Sequence, residues 1–166
     1  MARWLSGLII VAFVVAMGLV AAATSPRQAR ITASAEVLWQ NPFYDVALLR
    51  IKNFSAIHAS HLSCRTPRPG ESIRANGNPV GEKFLAAWGH VAGNARSIGE
   101  WPEAVPVNMS IIPGMSGGPV YDEHGNVVGI SVGILMMPLN MAMAVPIEFG
   151  AVVPGSTICS LMDRRA

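Results

Sequence analysis

The chain has 166 residues, 51% of them hydrophobic, with a net charge of +2 and only 13% charged residues. That length supports one domain with a modest core and is too short for two ordinary ones. No Lys/Arg run stands out, so nothing points to a nucleic-acid partner. Gly (16) and Pro (12) are frequent, and β-branched residues fall in short runs. That mix fits a turn-rich β protein better than a helical one.

The first segment, Leu5 to Ala23, is uncharged and nearly all apolar, with Arg3 before it and Ala21-Ala22-Ala23 at its end. This is the pattern of a signal peptide. At about 20 residues it is also long enough to cross a bilayer as an uncleaved anchor. Arg27 and Arg30 follow closely, and downstream positive charge disfavours translocation. A third reading makes Gly7-Leu8-Ile9-Ile10 and Gly18-Leu19-Val20 two barrel strands around a turn. The expectation is a hydrophobic helix, with the protein exported (periplasmic or secreted) or membrane-anchored through residues 5–23.

Two strands are predicted between Ala29 and Lys52, with a turn at Asn41-Pro42 and a compact apolar strand after Asp45. Asn53 to Pro69 is irregular and polar and reads as a linker. Gly70 to Gly81 has a strand-then-turn pattern, and Phe84–Val91 and Ala104–Met109 read as strands. Pro119-Val120-Tyr121 and Val127–Val132 flank Asp122-Glu123-His124-Gly125-Asn126, a strong hairpin signal. Asn140–Val145 is one more predicted strand, and a short helix is predicted from Glu148 onward. This succession of short strands suggests a closed β-barrel. Cys64 and Cys159 are too few for a disulfide scaffold. The simpler reading is two buried free thiols; a single bridge is the alternative if the chain is exported.

The stretch with chemical content is Gly114-Met115-Ser116-Gly117-Gly118-Pro119. Flanking glycines let a loop adopt conformations closed to other residues and let a substrate approach the backbone. A serine in such a loop can display its hydroxyl. The Gly114 and Ser116 amides can then point at one spot and stabilise a developing oxyanion.

With Asp45-Val46-Ala47-Leu48-Leu49 upstream, Gly77-Asn78-Pro79 between, and Val128 to Gly133 downstream, this stretch resembles the chymotrypsin-fold, trypsin-like serine proteases. The likeness is to the bacterial HtrA/Deg-like and the phage- or virus-encoded branches, and it covers about residues 30 to 150. It implies an all-β, chymotrypsin-like double β-barrel. Ser116 would be the nucleophile, Asp45 the orienting acid and Gly114 an oxyanion donor. Ser131, Val132 and Gly133 would pair with the substrate backbone. Ser110, six residues before Ser116, would sit at the base of the specificity pocket. The partner implied is a polypeptide substrate or peptide ligand. No metal-ligand cluster, phosphate loop or dinucleotide fingerprint is visible, so no cofactor or metal is expected.

The resemblance has a gap. A serine hydroxyl needs an adjacent base, which in this family is a histidine preceding the acid. No histidine precedes Asp45, and only about 20 residues separate it from Ala23. The expected organisation is therefore a leader or anchor (1–23), the remnant of an incomplete first barrel (24–52), a linker (53–69) and a second barrel with a short C-terminal segment (70–166). His58 and His61 fall on the linker, His90 in the second barrel and His124 in the hairpin turn. None of the four is expected to act as the base. Loss of a triad member costs a rate factor of up to ~10⁶, leaving ~10³–10⁴ over water. The expected function is a trypsin-like serine endopeptidase, weak or inactive as written. The alternative is a pseudoprotease that binds peptides by β-augmentation; a weaker third reading is a membrane-anchored assembly protein. Half a barrel should also leave an open sheet edge and an uncovered apolar face.

Overall fold

The computed structural model describes residues 9–11, 34–51, 59–140 and 143–163. Strands β2 (Ala35–Asn41) and β3 (Val46–Ile51) form an antiparallel hairpin. Its turn follows from Asn41, whose Oδ1 accepts from the amides of Phe43 at 3.0 Å and Tyr44 at 3.3 Å. Asp45 then takes a left-handed backbone, φ 58°, a region that Asp enters more readily than most residues. β3 buries Val46, Ala47 and Leu48.

Strand β1 (Ile9–Val11) pairs with the other edge of β3, giving the order β1-β3-β2. These three residues are extended, not helical as expected. β3 would otherwise present an open row of amides and carbonyls, and β-branched Ile-Ile-Val suits a strand that covers it. The rest of the expected leader lies outside the described residues. The outer edge of β2 has no strand partner among the described residues, and Val37 and Phe43 are exposed. Among the described residues, this three-stranded sheet is what stands for the first barrel.

The second sheet has seven strands: β4 (Ser72–Gly77), β5 (Leu85–His90), β6 (Arg96–Ile98), β7 (Trp101–Val107), β8 (Pro119–Tyr121), β9 (Val127–Asn140) and β10 (Met143–Pro154). Their order is β5-β4-β8-β9-β10-β7-β6. It closes into a barrel where the chain after β5 meets the end of β7. Val91 bridges Val107, and the Ala92 amide donates to Pro106 O at 2.8 Å. Side chains divide by the strand period of two. Val105, Val107 and Val152 join the barrel interior with Ile73, Val120 and Val128. Ala104, Ala151 and Val153 face a second cluster with Val46, Val132 and Ile158, against which Trp39, Tyr44 and Trp101 pack. That cluster joins the Asp45 hairpin to the barrel wall.

The C-terminal region departs from the sequence reading. Asn140 ends β9 and Met143–Val145 open β10, so the predicted strand is divided between two longer ones. Glu148 lies within β10, and the helix α1 runs Gly155–Asp163. Pairing of Gly150–Val152 with β7 holds this stretch extended. The helix opens at a glycine because a Cβ there would run into the Ser63 carbonyl.

Cys64, on the segment leading into β4, and Cys159, on α1, form a disulfide with Cα atoms 5.6 Å apart. They are not the free thiols of the simpler reading. The same segment is held by Arg65, which pairs with Glu71 and, at 3.0 Å, with Asp122. Burial pushes the Asp122 carboxyl up. The Asn126 amide and side chain, Arg65 and the His124 amide outweigh it and hold the group below its ordinary value.

Candidate active site

The Ile112–Gly118 loop is held at both ends. At one end Gly117 N–H donates to Ser131 O at 2.7 Å, and Ser131 N–H to Gly118 O at 3.0 Å. At the other end Asn78 N–H donates to Gly114 O at 3.0 Å. Gly114 (φ +99°) needs its left-handed backbone, and a Cβ there would sit 2.5 Å from Asn78 O. Gly118 packs so closely on β4 that a Cβ would overlap Asn76 O. The Gly77-Asn78-Pro79 motif is therefore the shelf on which the loop rests.

The amides of this loop divide in two. Those of Met115, Gly117 and Gly118 are engaged, with Ile112 O, Ser131 O and Met115 O respectively. Those of Ile112, Gly114 and Ser116, the last two flanking Met115, have no partner among the described residues. The half-buried Ser116 hydroxyl also forms no hydrogen bond with them.

Ser131 is fully buried; its Oγ reaches Met115 O at 2.5 Å and Gly118 O at 3.1 Å. Its backbone and hydroxyl are thus committed to bracing the loop. β8 covers β9 only from Val127 to Ile130. From Val132 on, that edge of β9 has no strand partner among the described residues, while β10 pairs the other edge as far as Asn140. Ser110 is exposed, and its neighbour Ile111 is buried against Gly150.

Asp45 approaches the same stretch of β9 from the first sheet. Trp101 makes the connection, and no sequence pattern singles it out. Its ring lies on Gly133, where an added Cβ would be 2.6 Å from Cη2. Its buried Nε1 lies beside the Asp45 carboxylate without closing a well-aligned hydrogen bond. The Ser116 loop and Asp45 are thus both tied to Ser131–Gly133, the loop through Ser131 and Asp45 through Trp101.

Burial pushes the Asp45 carboxyl up, the indole N–H partly offsets this, and Glu100 pushes it up further. The folded protein thus holds the Asp45 proton more tightly than the unfolded chain. This contribution to stability is complete below the ordinary value of 3.8 and is lost as pH rises through the folded-state value. Asp45→Asn is expected to raise the melting temperature at pH 7, with the gain shrinking toward pH ~4. Thermal melts across that range check it; a lower melting temperature at pH 7 would contradict the assigned environment.

No described histidine hydrogen-bonds to Asp45 or Ser116 through its ring. His61, His90 and His124 are all exposed. His58 lies outside the described residues.

Residues 13–130 match the trypsin-like peptidase domain family. The chain belongs to this family. The match begins inside the apolar N-terminal segment. A serine protease HtrA-like protein of Staphylococcus haemolyticus is 31% identical over 138 residues, covering 70% of this chain and 21% of the relative. A probable periplasmic serine endoprotease, DegP-like, of Brucella suis is 28% identical over 134 residues, covering 78% and 25%. The HtrA-type protease AlgW, solved with a decapeptide, superposes with a TM-score of 0.66 at 24% identity, covering 79% of this chain and 40% of that one. This trypsin-like peptidase domain thus shares the HtrA fold and spans about a quarter or less of the curated relatives' length. Among the described residues, no helix is long and apolar enough to cross a membrane.

Proposed function

We propose that this trypsin-like domain takes an extended polypeptide along the open edge of β9 and presents Ser116 to one of its carbonyls. The supporting observation is the pair of unbonded amides, Gly114 and Ser116, beside an unbonded hydroxyl in a braced loop. Two such donors suit a tetrahedral oxyanion. Ser116 is the nucleophile, Asp45 the orienting acid, and Val132 and Gly133 the pairing residues, with Ser131 holding the loop and Ser110 bordering the pocket. The reaction is endopeptidase hydrolysis through an acyl-enzyme, slow because no described histidine stands beside Ser116 to act as its base. The DegP-like relative is named periplasmic, and a disulfide suits an oxidising compartment. Export is therefore part of this reading.

A second reading, a peptide-binding pseudoprotease, is favoured by Trp101. An indole stands beside Asp45, and it cannot accept the Ser116 proton. A fluorophosphonate probe separates the two. An enzyme is labelled at Ser116, cleaves casein, and loses both on Ser116→Ala. A pseudoprotease binds peptide without either. Absence of labelling, cleavage and peptide binding together would sink both readings.

A further inference from the structure

The segment Asn78–Leu85 has features that the groove on β9 does not use. It adjoins the Gly114 end of the nucleophile loop, with Asn78 N–H bonded to Gly114 O at 3.0 Å and Val80 N–H to Pro113 O at 3.4 Å. Val80, Phe84 and Leu85 are 82%, 86% and 47% exposed, and Ile112, beside Pro113, is 36% exposed. Val80 (φ 47°) and Phe84 (φ 58°) both hold left-handed backbones. For a β-branched or bulky residue that conformation costs roughly 1–3 kcal/mol and persists only where surrounding structure enforces it. Here the enforcing contacts are made by the two residues' own amides, Val80 N–H to Pro113 O and Phe84 N–H to the Asn78 side chain at Oδ1, 2.9 Å. The side chains gain no burial in return. A strained turn that displays apolar side chains beside a reactive loop has the character of a recognition surface.

The direction of the peptide identifies what would lie there. The neighbours of β9 both pair with it antiparallel. A peptide added to its open edge in the same sense runs from the far end of β9 toward Ser131 and reaches Ser116 last. Its residues after the reacting carbonyl would continue past Ser116 toward the Gly114 end of the loop, to which Asn78 and Val80 are bonded. Glu82 and Lys83 add one charge of each sign, so no net charge selects the ligand.

We infer that Val80, Phe84, Leu85 and Ile112 form a docking surface for large apolar side chains on the C-terminal side of the reacting carbonyl of an unfolded polypeptide. This rests on the peptide groove proposed above. Burial of one such side chain supports a preference of at least about tenfold.

The test uses the full chain carrying Ser116→Ala and fluorescent decapeptides read by anisotropy. Two of the three peptides share a composition. One has Leu and Phe in its C-terminal half and Ser and Gly in its N-terminal half, one has the reverse, and one is polar throughout. The first should bind at least about tenfold tighter than the polar peptide. Val80→Asn with Phe84→Asn should remove that advantage and leave the polar peptide unchanged. Asn tolerates the left-handed backbone, so this variant should fold, as its melting temperature will show. If no peptide binds, the groove itself is wrong and this surface falls with it. If peptides bind but the C-terminal apolar advantage is absent, survives the double change, or moves to the reversed peptide, the groove stands and this surface is overturned. A concentration-dependent dimer that the double change dissolves would assign the patch to a second copy instead.

Discussion

Cys64→Ser combined with Cys159→Ser is expected to lower the free energy of unfolding by about 2–5 kcal/mol. The bridge spans a sequence separation of 95 residues. Closing so long a loop removes many conformations from the unfolded chain, and in the chain-entropy account the effect grows with loop length. It also ties the segment between the two sheets to α1, which packs on β9 and β10. Reduction should therefore loosen the Asp45 hairpin from the barrel as well as lower global stability. Urea unfolding of the oxidised, reduced and double-serine proteins tests this, with the last two expected to coincide. Equal midpoints for all three would mean that the Arg65 network and the outer cluster already hold the segment.

Gly118→Ala is expected to cost about 3 kcal/mol or more and to slow probe labelling of Ser116 by roughly 10²–10³-fold. The added Cβ would overlap Asn76 O and lie 2.8 Å from Met115 O. Both are backbone atoms, so relief requires β4 or the loop itself to move. Either movement displaces the Ser116 amide, which is two residues away. Gly81→Ala is the control. It has a positive φ of 87° but nothing within 4 Å of the added atom, so only the backbone penalty of about 1 kcal/mol applies. Labelling that survives Gly118→Ala would mean that the loop relaxes without disturbing its amides.

The parts legible in the sequence are those that local chemistry decides. The Pro119–Val132 hairpin forms because Asp122 accepts from the amides of His124 and Asn126, while Gly125 takes the left-handed turn position. The Gly114–Gly118 loop is readable for a similar reason: only glycine serves at 114 and 118. The β2–β3 hairpin followed from Asn41-Pro42 and the apolar run after Asp45. At Glu148 the same reasoning misjudged the chain, because pairing of β10 with β7 and β9 overrides local preference.

Local sequence thus determined the turns, the glycine-dependent loop and the alternation that buries one face of each strand, since these depend on neighbours a few residues apart. Tertiary structure alone decided that Cys64 meets Cys159, that Ile9–Val11 lie along β3, and that Trp101 stands between Asp45 and Gly133. Each of these joins positions tens of residues apart. Their meeting depends on how the two sheets close and dock, so apolar content and cysteine count offered a strand at Ile9-Ile10 and a single bridge only as alternatives and could not choose them.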